Sequence, residues 1–483
     1  MGHLAIQKPY LALQERLQKN PVGAPPAEEL FEILRLRFSE EEAEIGARMP
    51  MTPASLEKLG ERLGQAPDRL EAKLERMAEK GLVLDFETHG KRFYVLAPTV
   101  IGFFEFTFMR LHKDLPNTKL ADLLSAYMFG DRSFADNAFR GETQIGRVIA
   151  HEKTLSDDLR SEILPYEQAS EILKNAKLRA VGLCYCRHKA MHHGNPCKKP
   201  METCTTLNES ADWAIRRGYG RKISAEEALD IAAMTRDNCM VHIADNVKNN
   251  VSYICHCCGC CCGQLKAISL HGIQTAVHTS NFLASVDTDK CKACARCVKA
   301  CPIMAIDIKP MSFGDATARV DEELCLGCGV CNVACKNKAM SMKSRPKRIF
   351  TPEDNIERLV RAAVERGTIH HMLFDDPDSV TSRGMNLALG ALMSLPLTKR
   401  LLAVEQIRST FVRTIVKGAK GQIEADAARP GGPTSTDGNG EARSAPSGEV
   451  RVDGARAGGG SHGEGTSGGR DVREGGRRVP GTA

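Results

Sequence analysis

The 483 residues include 19 cysteines, most of them in tight, short-spaced groups. The most regular group is CKACARCVKACP, where Cys291, Cys294, Cys297, Cys301 and Pro302 follow C-x2-C-x2-C-x3-C-P. A second group, CLGCGVCNVAC, sets Cys325, Cys328, Cys331 and Cys335 at the same intervals, and the lead-ins SVDTDK and RVDEEL correspond. This is an internal duplication whose thiolates, at that spacing, are suited to [4Fe–4S] ligation. Zinc ribbons also use C-x2-C pairs, but nothing in a zinc site demands the third step, its repetition or the proline. The expectation is therefore two [4Fe–4S] clusters.

Upstream lies a second cysteine block of a different kind. LCYCRHKAMHHGNPCKKPMETC supplies Cys184, Cys186, Cys197 and Cys204, and ICHCCGCCCG supplies Cys255, Cys257, Cys258, Cys260, Cys261 and Cys262. These ten are candidate ligands of a further metal site, too crowded for all to bind one ion. An additional Fe–S cluster, a structural zinc, and redox-active or merely buried thiols all remain open. His188, His192, His193 and His256 read as solvent-facing or supporting residues rather than ligands, and Arg187 as a partner for negative charge on a cluster. Cys239 reads as a small buried residue in a helix.

The positions of these groups require elements to hold them. Length alone implies two to four globular units. An N-terminal segment, 1–26, precedes helices expected over AEELFEILRLRF, SLEKLGERL and PDRLEAKLERMAEKG, then a hairpin LVLDFETHGKRFYVL turning at 88–90. Together these make a winged-helix-like domain at 27–112. A helical connector is expected at 113–180, and the aromatic run IGFFEFTFMRLH reads equally as buried helix or interface. The cysteine-rich domain spans 181–282 and the βαββαβ-type dicluster module 283–345. A helical supporting domain follows at 346–418, with NIERLVRAAVERG a helix, TIHHMLF strand-like and Leu397 to Val416 helical. From 419 to 483 Gly, Ser, Arg, Asp and Pro dominate, which predicts a disordered tail. The fold class is α+β, in several domains.

The formal net charge of +6 is small for this length and announces no nucleic-acid partner. No stretch approaches about 18 consecutive apolar residues, so no membrane span is expected. The N-terminus lacks the apolar core of a signal peptide, and clustered cysteines fit a reducing compartment, so the expected location is cytoplasmic.

The paired cysteine motifs resemble those of bacterial two-cluster ferredoxins, in which the fourth cysteine of each block ligates the other cluster. The resemblance implies Cys291, Cys294, Cys297 and Cys335 for one cluster, and Cys325, Cys328, Cys331 and Cys301 for the other. Small residues such as Ala293, Ala295, Gly327 and Gly329 would let backbone N–H groups point at the sulfurs. Lys336 departs from the pattern, standing where proline is usual. The whole order from Ala27 to Lys417 resembles a family of iron–sulfur proteins from anaerobic bacteria, and implies redox work with a protein partner. With neither a G-x-G-x-x-G fingerprint after a strand nor a Walker A loop, electrons would come from another protein. The main expectation is an electron-transfer protein or redox-complex subunit. A redox-sensing DNA-binding regulator is an alternative, although on its recognition helix Asp68, Glu71, Glu75 and Glu79 balance Arg69, Lys73, Arg76 and Lys80, which makes nucleic acid a poor partner. A reductase, an oxidoreductase with its catalytic metal in the upstream block, is another.

Overall fold

The computed structural model describes residues 7–88, 90–310, 316–376 and 379–428. The expected tail lies outside the described residues from 429 onward. Helix α1 (Lys8–Gln18) has a proline in its first turn and buries Tyr10, Leu13 and Leu17. Helix α2 (Glu28–Arg37) buries Leu30, Ile33 and Leu34 at helical spacing. Helix α3 (Glu40–Arg48) was not expected, because EEEAEIGAR has too few apolar residues to show a period. A capping box fixes its start: Glu42 N–H donates to Ser39 Oγ, and Ser39 N–H donates to the Glu42 carboxylate. Strand β1 (Ala54–Ser55), helices α4 (Leu56–Leu63) and α5 (Pro67–Glu79), and strands β2 (Val83–Thr88) and β3 (Lys91–Leu96) follow. The strands form an antiparallel sheet in the order β1-β3-β2.

The aromatic run is core. An irregular turn at Thr99–Phe103 leads into helix α6 (Phe104–Phe108), and Phe103, Phe104, Phe106 and Phe108 are all buried. Helices α7 (Asn117–Phe129) and α8 (Ser133–Ala138) come next, then strand β4 (Gly146–Ile149), helices α9 (Asp157–Glu162) and α10 (Ala169–Asn175) and strand β5 (Arg179–Leu183). The segment 113–180 is therefore not simply helical. All four residues of β4 are buried, so the sequence shows no alternation there and the strand cannot be told from a loop or helix end.

Helix α11 (Tyr185–His192), strand β6 (Glu202–Leu207), helix α12 (Asn208–Arg216), strand β7 (Arg221–Lys222), helix α13 (Ala225–Asp237), strands β8 (Val241–Asp245) and β9 (Tyr253–Cys257) and helix α14 (Gly263–His271) complete the cysteine-rich region. Its sheet is antiparallel with order β4-β8-β9-β6-β5-β7. Cys239 falls after α13 in a left-handed conformation (φ 53°), not within a helix. The next elements are β10 (Phe282–Val286), α15 (Arg296–Ala300), β11 (Ile306–Pro310), β12 (Ala316–Val320), α16 (Val330–Ala334) and β13 (Met340–Ser344), with β10 paired to β13 and β11 to β12. Helices α17 (Asn355–Glu365), α18 (Ile369–Leu373), α19 (Val380–Ser394), α20 (Pro396–Ala403) and α21 (Glu405–Ala428) end the described chain. The TIHHMLF segment is helical rather than a strand, its Ile369 packing on Val360, Ala363 and Val364. Helix α21 continues past the expected boundary at 418. No helix of the described residues is long and apolar enough to cross a membrane.

One apolar core runs from Tyr10 through the phenylalanines of α6 and on to Leu326 and Val330 of the duplicated module. A polar clasp joins the N-terminal hairpin to α12 and the arginine beyond it. Asp85 on β2 is buried and receives Arg216 at 2.7 Å and Arg217 at 2.9 Å, while Arg217 also meets Glu75 of α5 at 2.7 Å. Burial pushes the Asp85 carboxyl upward, but hydrogen bonds from Arg217 and Arg216 outweigh it and hold the group below its ordinary value. The Asp85→Asn variant should lose about 3 kcal/mol in urea unfolding at pH 7, since it leaves two guanidinium groups without their carboxylate. The native contribution is present above about pH 4, the unfolded carboxylate value, and is lost as pH falls through the lower folded value. A loss that stayed the same at acid pH would show that the ion pair is not its source.

Candidate metal centres

The duplicated module brings its eight cysteines to two cavities. One is lined by Cys325, Cys328, Cys331 and Cys301, with Ala284, Ile303, Leu326 and Val330 as apolar wall. The other is lined by Cys291, Cys294, Cys297 and Cys335, with Ile308, Ala318 and Met340. In each cavity three sulfurs come from one block and the fourth from the other, because each block's last cysteine follows its short helix and lies toward the opposite loop. The loops need unusual backbone. Ala293, Ala295, Gly327 and Gly329 all have positive φ at matching positions of the two halves. Gly327 is confined further, since a Cβ there would lie 2.1 Å from the Phe282 carbonyl oxygen. Backbone N–H groups of Ala305, Ala339 and Ala318 donate to Cys301, Cys335 and Cys291 Sγ at 3.2, 3.3 and 3.4 Å. Such donors stabilise thiolates and the anionic group they would carry. Four inward sulfurs, apolar walls and amide donors fit a [4Fe–4S] cubane in each cavity.

Residues 290–351 match the 4Fe-4S dicluster domain family. The match covers this domain alone, and no curated protein or solved structure matches the chain. The chain thus carries a ferredoxin-type iron–sulfur domain.

The dicluster domain is asymmetric in exposure. Cys325, Cys328 and Cys331 are buried, and Arg345 behind them donates to Ser280 and Cys325 backbone oxygens. Cys294 is exposed, as are Lys292 and Arg296 in the wall of its cavity and Lys336, the neighbour of Cys335. Lys336, the departure from the proline pattern, is therefore part of a basic rim.

The ten upstream cysteines fall into two sets. The outer set is Cys197, Cys258, Cys260 and Cys261, whose sulfurs all lie within 4.8 Å of one another. Among the described residues this is the one group of His, Cys, Asp or Glu so compact. Cys197 lies 3.4 Å from Cys260 and 3.8 Å from Cys258, and Cys260 lies 3.7 Å from Cys261. Tetrahedral ligands on one zinc, with Zn–S near 2.3 Å, would stand about 3.8 Å apart. The thiol of Cys261 holds Cys258 well below the ordinary thiol range.

The inner set follows from sheet register. Strands β6 and β9 pair with Thr205 opposite Ile254, which places Cys204 beside Cys255, and Cys257 lies on the same face two residues on. Neighbouring thiols act on one another in a chain that runs from Cys204 to Cys255, Cys257, Cys262, Cys186 and Cys184. His256, on the opposite face of β9, stacks edge-on against His242 (4.6 Å between centroids), which stacks on His151 (4.4 Å). Burial holds all three below the ordinary histidine range, neutral among Thr235 and backbone. His188 and His192 pack on Phe108, and His193 pairs with Asp122.

Two features had no sequence signal strong enough to find. Lys189, which directly follows His188 and precedes the His192–His193 pair by three residues in a polar stretch, is 4% exposed, and its Nζ has no hydrogen-bond partner among the described residues. Gly259 is the second: a Cβ there would lie 2.6 Å from the Pro302 carbonyl oxygen, so the upstream cysteine loop rests directly on the residue after Cys301.

Proposed function

We propose that this protein is an iron–sulfur electron-transfer protein or redox-complex subunit. One cluster is held by Cys291, Cys294, Cys297 and Cys335, and the other by Cys325, Cys328, Cys331 and Cys301. The observation that carries the reading is the pair of four-sulfur cavities, each completed by the other block's fourth cysteine. When bound, [4Fe–4S] clusters supply one-electron redox chemistry. The chain's own residues fix the sulfurs, aim amides at them and keep water from the inner cavity. Exposed Cys294, with Lys292 and Arg296 beside it, marks the side at which a redox protein approaches.

The outer upstream set suits a single structural ion, zinc by its sulfur spacing. It ties the segment of Cys197 to the loop that rests on Pro302, and so braces the dicluster domain against the cysteine-rich region. The N-terminal helices and hairpin, arranged as a winged helix, serve protein packing in this reading. Glu75 of the would-be recognition helix is taken by Arg92 and Arg217, which leaves little positive face for phosphate.

The test is iron, sulfide and zinc content of anaerobically purified protein, with EPR of the reduced state. At least about eight iron per chain is expected, with spectra of two interacting [4Fe–4S] clusters. Protein without iron would sink the reading.

A further inference from the structure

We infer that Cys184, Cys186, Cys204, Cys255, Cys257 and Cys262 hold a polynuclear iron–sulfur cluster, separate from the single-ion site formed by Cys197, Cys258, Cys260 and Cys261. The electron-transfer reading supplies this cluster's role; its presence is argued from the residues alone.

Six contiguous thiols exceed the four ligands of one tetrahedral ion. They are also more dispersed than the outer set, as are the two ferredoxin quartets. Cys184, Cys186, Cys204 and Cys255 are half-buried, and Cys257 and Cys262 are buried.

Charge points the same way. Arg187 is 1% exposed and donates to the His256 carbonyl at 3.0 Å and to Thr203, approaches Cys258 Sγ at 4.0 Å, and meets no carboxylate among the described residues. Among the described residues the Lys189 ammonium lies over the rings of Phe129 and Tyr185 and makes no hydrogen bond, and Glu105, a carboxylate acting on it, already accepts from Gly102 N–H. Two buried cations that no carboxylate hydrogen-bonds are costly unless other anions lie close. The anions available are thiolates of these two sets. Cys184 and Cys262 also occupy the N-caps of α11 and α14. Helix starts favour negative charge on those sulfurs. Soft thiolates in this number select iron–sulfur or zinc. Iron is favoured because the same loop rests on Pro302, beside a ligand of the buried ferredoxin cavity.

The experiment is metal and acid-labile sulfide analysis, with EPR, on the anaerobically purified full-length chain and two variants. Wild type should hold about twelve iron and about one zinc. Cys260→Ala, changed at an exposed residue, should lose the zinc and keep the iron. Cys257→Ala should lose about four iron while the two ferredoxin EPR signals persist. Wild-type iron that stops at about eight, about three zinc in place of the extra iron, or unchanged iron in Cys257→Ala would each overturn the inference. Should Cys257→Ala not fold, the iron count of Cys260→Ala decides between the same outcomes. Iron lost from Cys257→Ala with no ferredoxin signals in wild type would refute the electron-transfer reading and leave this assignment standing.

Discussion

Cys328→Ala is expected to remove about four iron per chain and one of the two reduced-state EPR signals, and to lower the unfolding temperature by on the order of 10 °C. The large stability effect comes from where the cavity lies. Leu326, Cys328 and Val330 belong to the same apolar core that contains the phenylalanines of α6 and the inner thiols Cys257 and Cys262. Losing the group that orders this loop therefore loosens packing well beyond the dicluster domain. Cys294→Ala is the matched comparison. It too should cost about four iron, but the residue is exposed and its cavity opens to a basic rim, so unfolding should shift by only a few degrees. Equal thermal shifts in the two variants would contradict this account. Retention of both clusters in Cys328→Ala would contradict its place among the ligands.

Gly259→Val should destabilise the protein by about 3 kcal/mol in urea unfolding and release the outer-site zinc, while both ferredoxin EPR signals remain. A side chain at 259 meets backbone on every near contact: the Pro302 carbonyl oxygen at 2.6 Å, its Cα at 2.9 Å and its carbonyl carbon at 3.2 Å. Backbone cannot swing aside as a long side chain can, so the two loops must separate. Separation pulls Cys258 and Cys260, the neighbours of Gly259, away from Cys197. Gly194→Ala is the control, because its Cβ meets open space and only its φ of +79° resists substitution, which costs about 1 kcal/mol. A Gly259→Val protein as stable as wild type, with its zinc in place, would show that this contact does not brace the two regions.

The ferredoxin-type domain was legible because its ligands are local. Three sulfurs of each set lie within seven residues, and the duplication supplies the fourth from an equivalent position. The amphipathic helices α2, α4, α5 and α17 were legible for the same reason, their apolar residues recurring within a few turns. Helix α3 escaped because acidic residues fill its exposed face and leave only Ala43 and Ile45 to mark the core. Strand β4 escaped because a run of four buried residues has no visible period.

The upstream block shows where reading in one dimension stops. From spacing alone its ten cysteines form one crowded candidate site. Alternation along β9 sends Cys255 and Cys257 to one face and His256 to the other, and pairing with β6 adds Cys204 from 51 residues away. Cys258, Cys260 and Cys261 lie past the end of that strand, free of its alternation, and meet Cys197 instead. What the sequence determined by itself is the ligand chemistry: soft thiolates, in a duplicated spacing that suits iron–sulfur clusters. Only the tertiary structure decided which sulfurs share a site, which buried cations face them and which loop touches which, because those depend on strand register and long-range packing between segments that carry no mark of their partners.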